Sequence, residues 1–137
     1  MDTDKSGILE KLFDGKINEV NQITEKIIGA SFTVSNSLGS GFLEKVYENA
    51  LAYELRKSGL KVFQQHEIEV FYDRIPVGKY YADLLVEDAV IVEIKAINAL
   101  DAAQKAQCLN YLKATGLKIG LLINFGRPKI EIKRVAL

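Results

Sequence analysis

Apolar residues in the first third of the chain recur at helical spacing. Val20, Ile23, Ile27, Phe32 and Val34 predict a helix from about Ile17 to Leu38, which Gly39-Ser40-Gly41 interrupts. A second helix is predicted from about Phe42 to Lys57, with Ser58-Gly59 as its C-terminal stop. The period then shortens. Val62–Tyr72 and Val77–Val86 are rich in β-branched and aromatic residues and read as strands separated by Asp73-Arg74-Ile75-Pro76. Ala89–Lys95 (AVIVEIK) is almost wholly apolar, as a strand covered on both faces would be. Asp101–Thr115 reads as a helix with Asp101 as N-cap and Gly116 at its exit. Lys118–Asn124 is a second central-type strand, and Lys129–Val135 alternates like an edge strand. The expectation is an α/β (α+β) fold with an αβββαβ core: an antiparallel meander of three strands, then a long crossover that brings the fourth in parallel. The pattern shows no internal boundary, so residues 17–137 are expected to form one domain, with residues 1–16 as a loosely held arm.

Within this pattern two charged residues stand where none should. Glu93 and Lys95 share one face of the apolar strand, because side chains alternate. Burying an unpaired carboxylate or ammonium costs several kcal/mol. A salt-bridged pair at a solvated strand end is the simplest account of Glu-x-Lys alone. Asp83, near the end of the preceding strand, shifts the balance by adding a second hard oxygen donor. One or two carboxylates, a substrate phosphate and several waters are what Mg²⁺ takes, and a lysine beside them can orient an attacking water. The register of the hairpin decides whether the two acids meet. A two-residue loop would turn them to opposite faces, whereas Val86 facing Val90 around Glu87-Asp88-Ala89 sets Asp83 opposite Glu93. The second register is expected, with both acids and Lys95 on the face covered by the second helix.

Further candidates lie on the helices. Leu43, Val46, Tyr47, Ala50, Leu51 and Leu55 form an apolar arc that contains Glu44, with Glu48 on its edge. Glu44 is the preferred third carboxylate and Glu48 the reserve; snorkelling is the plainer alternative for either. Gln107 and Tyr111 lie four apart on one helix face beside Ala103 and Ala114. His66 reads as an ordinary strand histidine.

These residues carry a resemblance. Asp83…Glu93-Ile94-Lys95 followed by Gln107-Cys108-Leu109-Asn110-Tyr111 resembles the PD-(D/E)XK nucleases with the Q-x-x-x-Y helix of their RecB-type branch. Gly41-Phe42-Leu43-Glu44-Lys45-Val46-Tyr47, with Leu121-Leu122-Ile123-Asn124-Phe125-Gly126 later, is similar to the family called GxxExxY proteins. The chain departs from that family at Ser35 and Ser40, where His and Pro are usual. The resemblance implies a restriction-endonuclease-like fold and Mg²⁺- or Mn²⁺-dependent hydrolysis of a phosphodiester, in DNA before RNA. Asp83, Glu93 and the Ile94 carbonyl would bind the metal, with Glu44 close by. Lys95 would position the water, and Gln107 and Tyr111 would orient the lysine or a phosphate. Lys79, Lys105, Arg127 and Lys129 are candidate backbone contacts. The rival expectation is a nucleic-acid-binding or regulatory module that kept the fold and lost catalysis.

Composition narrows the class without choosing the function. Of 137 residues, 48% are hydrophobic and 26% charged, and 18 Lys+Arg balance 18 Asp+Glu, which argues against a protein that coats nucleic acid indiscriminately. The single cysteine, Cys108, excludes an internal disulfide and suits a reducing compartment. No apolar run reaches membrane-spanning length, and the N-terminus has no secretory pattern, so a cytoplasmic protein is expected. A homodimer is left open.

Overall fold

The computed structural model describes residues 3–137. Eight elements follow in the order α1 (Thr3–Leu38), α2 (Glu44–Lys57), β1 (Val62–Tyr72), β2 (Ile75–Val86), β3 (Val90–Lys95), α3 (Ala102–Thr115), β4 (Ile119–Asn124) and β5 (Glu131–Ala136). The strands form one sheet in the order β1-β2-β3-β4-β5. All neighbours are antiparallel except β3 and β4, which the α3 crossover makes parallel. This is the mixed sheet flanked by helices that the strand pattern predicts.

Two apolar layers cover the sheet. On one side Ile27 and Val34 of α1 and Tyr47, Leu51 and Leu55 of α2 pack on Val90, Val92 and Ile94 of β3. On the other, Cys108, Tyr111 and Leu112 of α3 pack on Ile91 and Leu122. Gly120 lets α3 approach β4, since a Cβ there would stand 2.6 Å from Cys108 Sγ. Cys108 is accordingly a buried packing residue. Asp101 caps α3 in a capping box with Gln104, and Gly116 ends it in the left-handed region at φ 76°.

Two boundaries differ from the sequence pattern. α1 begins at Thr3, not near Ile17, so residues 3–16 continue the helix. Good helix formers such as Leu9, Glu10 and Lys11 carry it without burial, and Ile8, Leu9 and Leu12 stay exposed. The first hairpin turns on Asp73-Arg74 alone, both at positive φ, and Ile75 and Pro76 already belong to β2.

Candidate active site

The second hairpin sets the geometry of the site. Glu87 and Asp88 adopt φ of 53° and 52°, and Ala89 N–H donates to the Val86 carbonyl at 3.0 Å. Ala89 is then an extra residue, because pairing resumes as Val86↔Val90, Leu85↔Ile91 and Leu84↔Val92. Continued one step, this register puts Asp83 opposite Glu93, as the three-residue loop predicts. There the side chains take over from the ladder. Asp83 N–H donates to Glu93 Oε1 at 3.2 Å, and Ile94 N–H donates to Asp83 Oδ2 at 2.7 Å.

The strands part here for a physical reason. Leu84 and Val86 face the α2 side of the sheet, yet Ala82 faces the α3 side together with Leu85. Alternation therefore breaks at Asp83. Its β1 neighbour Gln65 sits at φ 53°, between the pairs Gln64↔Leu84 and His66↔Ala82. A non-glycine residue held in that region stores on the order of 1 kcal/mol or more, which surrounding bonds must offset. Gln65 Nε2 supplies such bonds by donating to Glu48 Oε1 at 2.6 Å and Asp83 Oδ1 at 3.2 Å.

One expectation is corrected. Glu93 does not lie on the face covered by α2; it shares the α3 face with Ile91, and the alternation of β3 gives Lys95 the same side. Val90, Val92 and Ile94 fill the α2 face instead, because the larger apolar layer lies there. The two acids still meet, since Asp83 stands at the break in alternation and its carboxylate reaches back to the Ile94 amide.

The electrostatics follow from this placement. Glu93 is only 4% exposed. Burial, and then the charge of Asp83, push its carboxyl up to about 8, against smaller opposing pulls from the Asp83 N–H hydrogen bond and then from Lys95. Cys108 and Tyr111 are both pushed up to about 12, first by burial and then by the charge of Glu93. Lys95 is half-buried and makes no ion pair among the described residues.

On the α2 side a cavity of about 320 Å³ is lined by Glu44, Lys45, Glu48, Gln65, Asp83 and Ile94. The buried stripe of α2 runs through Tyr47, Glu48, Leu51, Ala52 and Leu55, one position round from the arc read in the sequence. Leu43 and Val46 are exposed, so Glu48 becomes the buried acid and Glu44 stays exposed at the rim. Glu48 accepts from Lys45 Nζ at 2.9 Å and Gln64 Nε2 at 2.8 Å as well as from Gln65. Tyr47 explains the spacing of the motif. Its hydroxyl donates to the Gly39 carbonyl at 2.7 Å and accepts from Phe42 N–H at 3.2 Å, and its ring stacks on Phe125 at 4.6 Å. That clamp fixes the glycine loop, where Gly41 has φ 111°, and so fixes where α2 presents its acids.

The segment after Lys95 is held by β4. Asn124, fully buried, donates to the Ile97 carbonyl (2.9 Å) and Glu131 Oε1 (3.0 Å), and accepts from Ile97 and Gly126 N–H at 3.0 Å each. This amide, with smaller help from Leu100 N–H and Arg127, holds the Glu131 carboxyl below its ordinary range. Gly126 has room only for hydrogen, since a Cβ would meet the Ile97 backbone.

Gln107 and Tyr111 are not in the Glu44–Asp83 cavity. They line a groove on the other side of the sheet, between α3 and the outer half of the β1–β2 hairpin. Lys79 pairs with Glu67 at 3.0 Å and Arg127 with Glu131 at 3.7 Å, and Lys105 and Lys129 are exposed. Among the described residues no three His, Cys, Asp or Glu side chains are grouped to hold a metal ion, so Asp83, Glu93 and Glu44 make no ready three-acid cage. The Asp83–Glu93 pair does suit a hard cation that completes its shell with backbone oxygen and water. Gln65, Glu48 and Asn124 are the neighbours that pattern reading passed over or ranked low. Their signal was the polar run Gln64-Gln65-His66-Glu67, which breaks the alternation of β1, and a lone Asn inside an apolar strand.

A profile of the family described as "PD-(D/E)XK nuclease superfamily" matches residues 21–135. The chain belongs to the PD-(D/E)XK nuclease superfamily. Membership agrees with the mixed five-stranded sheet flanked by helices. The chain is also similar in fold to a solved structure described as "Crystal structure of SSO0001", with a TM-score of 0.52 at 17% identity over 67% of this chain. It spans 48% of the length of that protein. No curated protein matches the chain. Among the described residues no helix is long and apolar enough to cross a membrane.

Proposed function

We propose that this superfamily member hydrolyses phosphodiester bonds in nucleic acid, DNA before RNA, with Mg²⁺ or Mn²⁺, and that residues 17–137 form the catalytic domain. One observation carries the reading: Asp83 and Glu93 meet at a strand end, where Asp83 N–H donates to the buried Glu93 carboxyl at 3.2 Å. Two carboxyls so placed favour a cation or a proton between them. Asp83, Glu93 and the Ile94 carbonyl would hold the metal, with Glu44 reaching it through water. The metal would supply charge neutralisation on the phosphate and a more acidic water. Lys95, which makes no ion pair among the described residues, would orient that water. Gln107 and Tyr111 would steady the lysine or a phosphate from the α3 side. Gln65 and Glu48 keep the Asp83 carboxylate in place.

Within the superfamily, Gly41…Glu44…Tyr47 supports the GxxExxY family and Gln107…Tyr111 the RecB-type branch. A cytoplasmic site of action suits the single buried cysteine. A second reading, a binding module without catalysis, is favoured by the absence of a three-acid grouping among the described residues and by Ser35 in place of the usual histidine. Titration with Mg²⁺ and Mn²⁺, followed by cleavage assays on single-stranded, nicked, branched and duplex DNA, separates the two. The nuclease reading expects millimolar metal to raise the melting temperature, since a ligand of the folded state alone stabilises it, and expects Asp83→Ala to remove both the rise and cleavage. A metal-induced rise without cleavage of any substrate supports the module.

A further inference from the structure

The groove on the α3 side is larger than the Asp83 cavity, about 890 Å³, within the size range of ligand sites. One wall is the outer β1–β2 hairpin, where Phe71 is 56% and Tyr80 49% exposed. The other is an α3 face of small and amide side chains: Ala103, Gln107, Asn110 and Ala114 recur at helical spacing. Among the described residues, neither the Gln107 nor the Asn110 side chain has a hydrogen-bond partner, though both border the groove. Tyr111 closes its inner end, with its ring 5.7 Å from that of Tyr80.

Three features decide what such a groove fits. Its aromatic faces are open on a largely apolar floor, as base stacking requires. Its amides can pair with the edges of an unstacked base. Its lining charges are one Glu69 and one Lys113, so it offers no basic rail for duplex phosphates. The groove opens on the α3 face of the sheet, the face that Glu93 shares with Ile91, and Tyr111 stands at its inner end on that face.

We propose that the groove between α3 and the β1–β2 hairpin seats the bases of a single-stranded nucleic acid, stacked on Phe71 and Tyr80 and read by Asn110. The adjoining phosphodiester then lies beside Tyr111 and the Asp83–Glu93 pair. This rests on the nuclease reading only for what happens to that phosphodiester, not for the binding itself.

The test is fluorescence anisotropy of labelled twelve-residue strands (dA, dT and rA) and of a duplex hairpin, with the full chain in EDTA so that cleavage does not interfere. Single strands should bind more tightly than the duplex. Phe71→Ala and Tyr80→Ala should each weaken single-strand binding about 5- to 100-fold, the scale of one lost stacking contact, and Tyr80→Phe should retain it. Comparing dA with rA tells DNA from RNA. The proposal is overturned if no strand binds, if the duplex binds as well, or if both alanine variants bind normally while folded by circular dichroism. It is also overturned if sizing shows a dimer that the same substitutions dissolve, which would make a second copy the occupant. Single-strand binding in EDTA, with no cleavage of the same strands once Mg²⁺ or Mn²⁺ is added in excess, defeats the nuclease reading and leaves the groove standing. Cleavage with normal binding by both variants does the reverse.

Discussion

Replacing Glu93 by glutamine should stabilise the protein, by an amount that depends on pH. The side chain is buried, and its carboxyl is pushed from 4.5 to about 8 by burial and by Asp83. Between those values the folded protein keeps a proton that the unfolded chain has released, so stability falls as pH rises through the window. Across that window each step of one in pH costs about 1.4 kcal/mol, so the loss reaches on the order of 3 kcal/mol by pH 7 and levels off above pH 8. Glutamine does not titrate there. Its Oε1 still accepts from Asp83 N–H, and its amide can donate to the Asp83 carboxylate instead of repelling it. The unfolding free energy of Glu93→Gln, from urea denaturation in EDTA, should therefore lie within about 1 kcal/mol of the parent near pH 5 and exceed it by on the order of 4 kcal/mol at pH 8. Millimolar Mg²⁺ should close part of that gap, because it stabilises only the chain that retains the carboxylate. A gap independent of pH, or a variant less stable at pH 8, would refute the reasoning.

Two further outcomes concern neighbouring residues. Lys95→Ala should keep the Mg²⁺-induced rise in melting temperature but cleave at least about 100-fold more slowly, the scale of a lost general acid–base contribution; cleavage at the parent rate sinks its assigned role. Asn124→Ala should cost about 2–4 kcal/mol in urea denaturation, because it strands the half-buried Ile97 and Gly126 backbone groups that the buried amide satisfies; a loss below about 1 kcal/mol would mean that other groups hold that segment.

The order and type of the elements were legible because hydrophobic period is a local property. A run such as AVIVEIK can be satisfied only as a strand covered on both faces, and Asp101 and Gly116 mark the ends of α3 by backbone chemistry alone. The pair Asp83 and Glu93 was legible too, since a charge in an apolar strand needs a partner and the loop length decides which residue faces it. Helix faces were harder. The α2 stripe turned by one position because the exposed Phe42-Leu43 loop and the Tyr47 clamp set its rotation, and a helical wheel contains neither. Only the tertiary structure decided that Glu93 faces α3 and that Glu48, not Glu44, is the buried acid. It also decided that Gln65 joins Glu48 to Asp83, 17 positions before it and 18 after it in the chain. These outcomes depend on which layer supplies more apolar surface and on a left-handed residue in β1 that breaks the alternation. Both are set by contacts between elements distant in sequence.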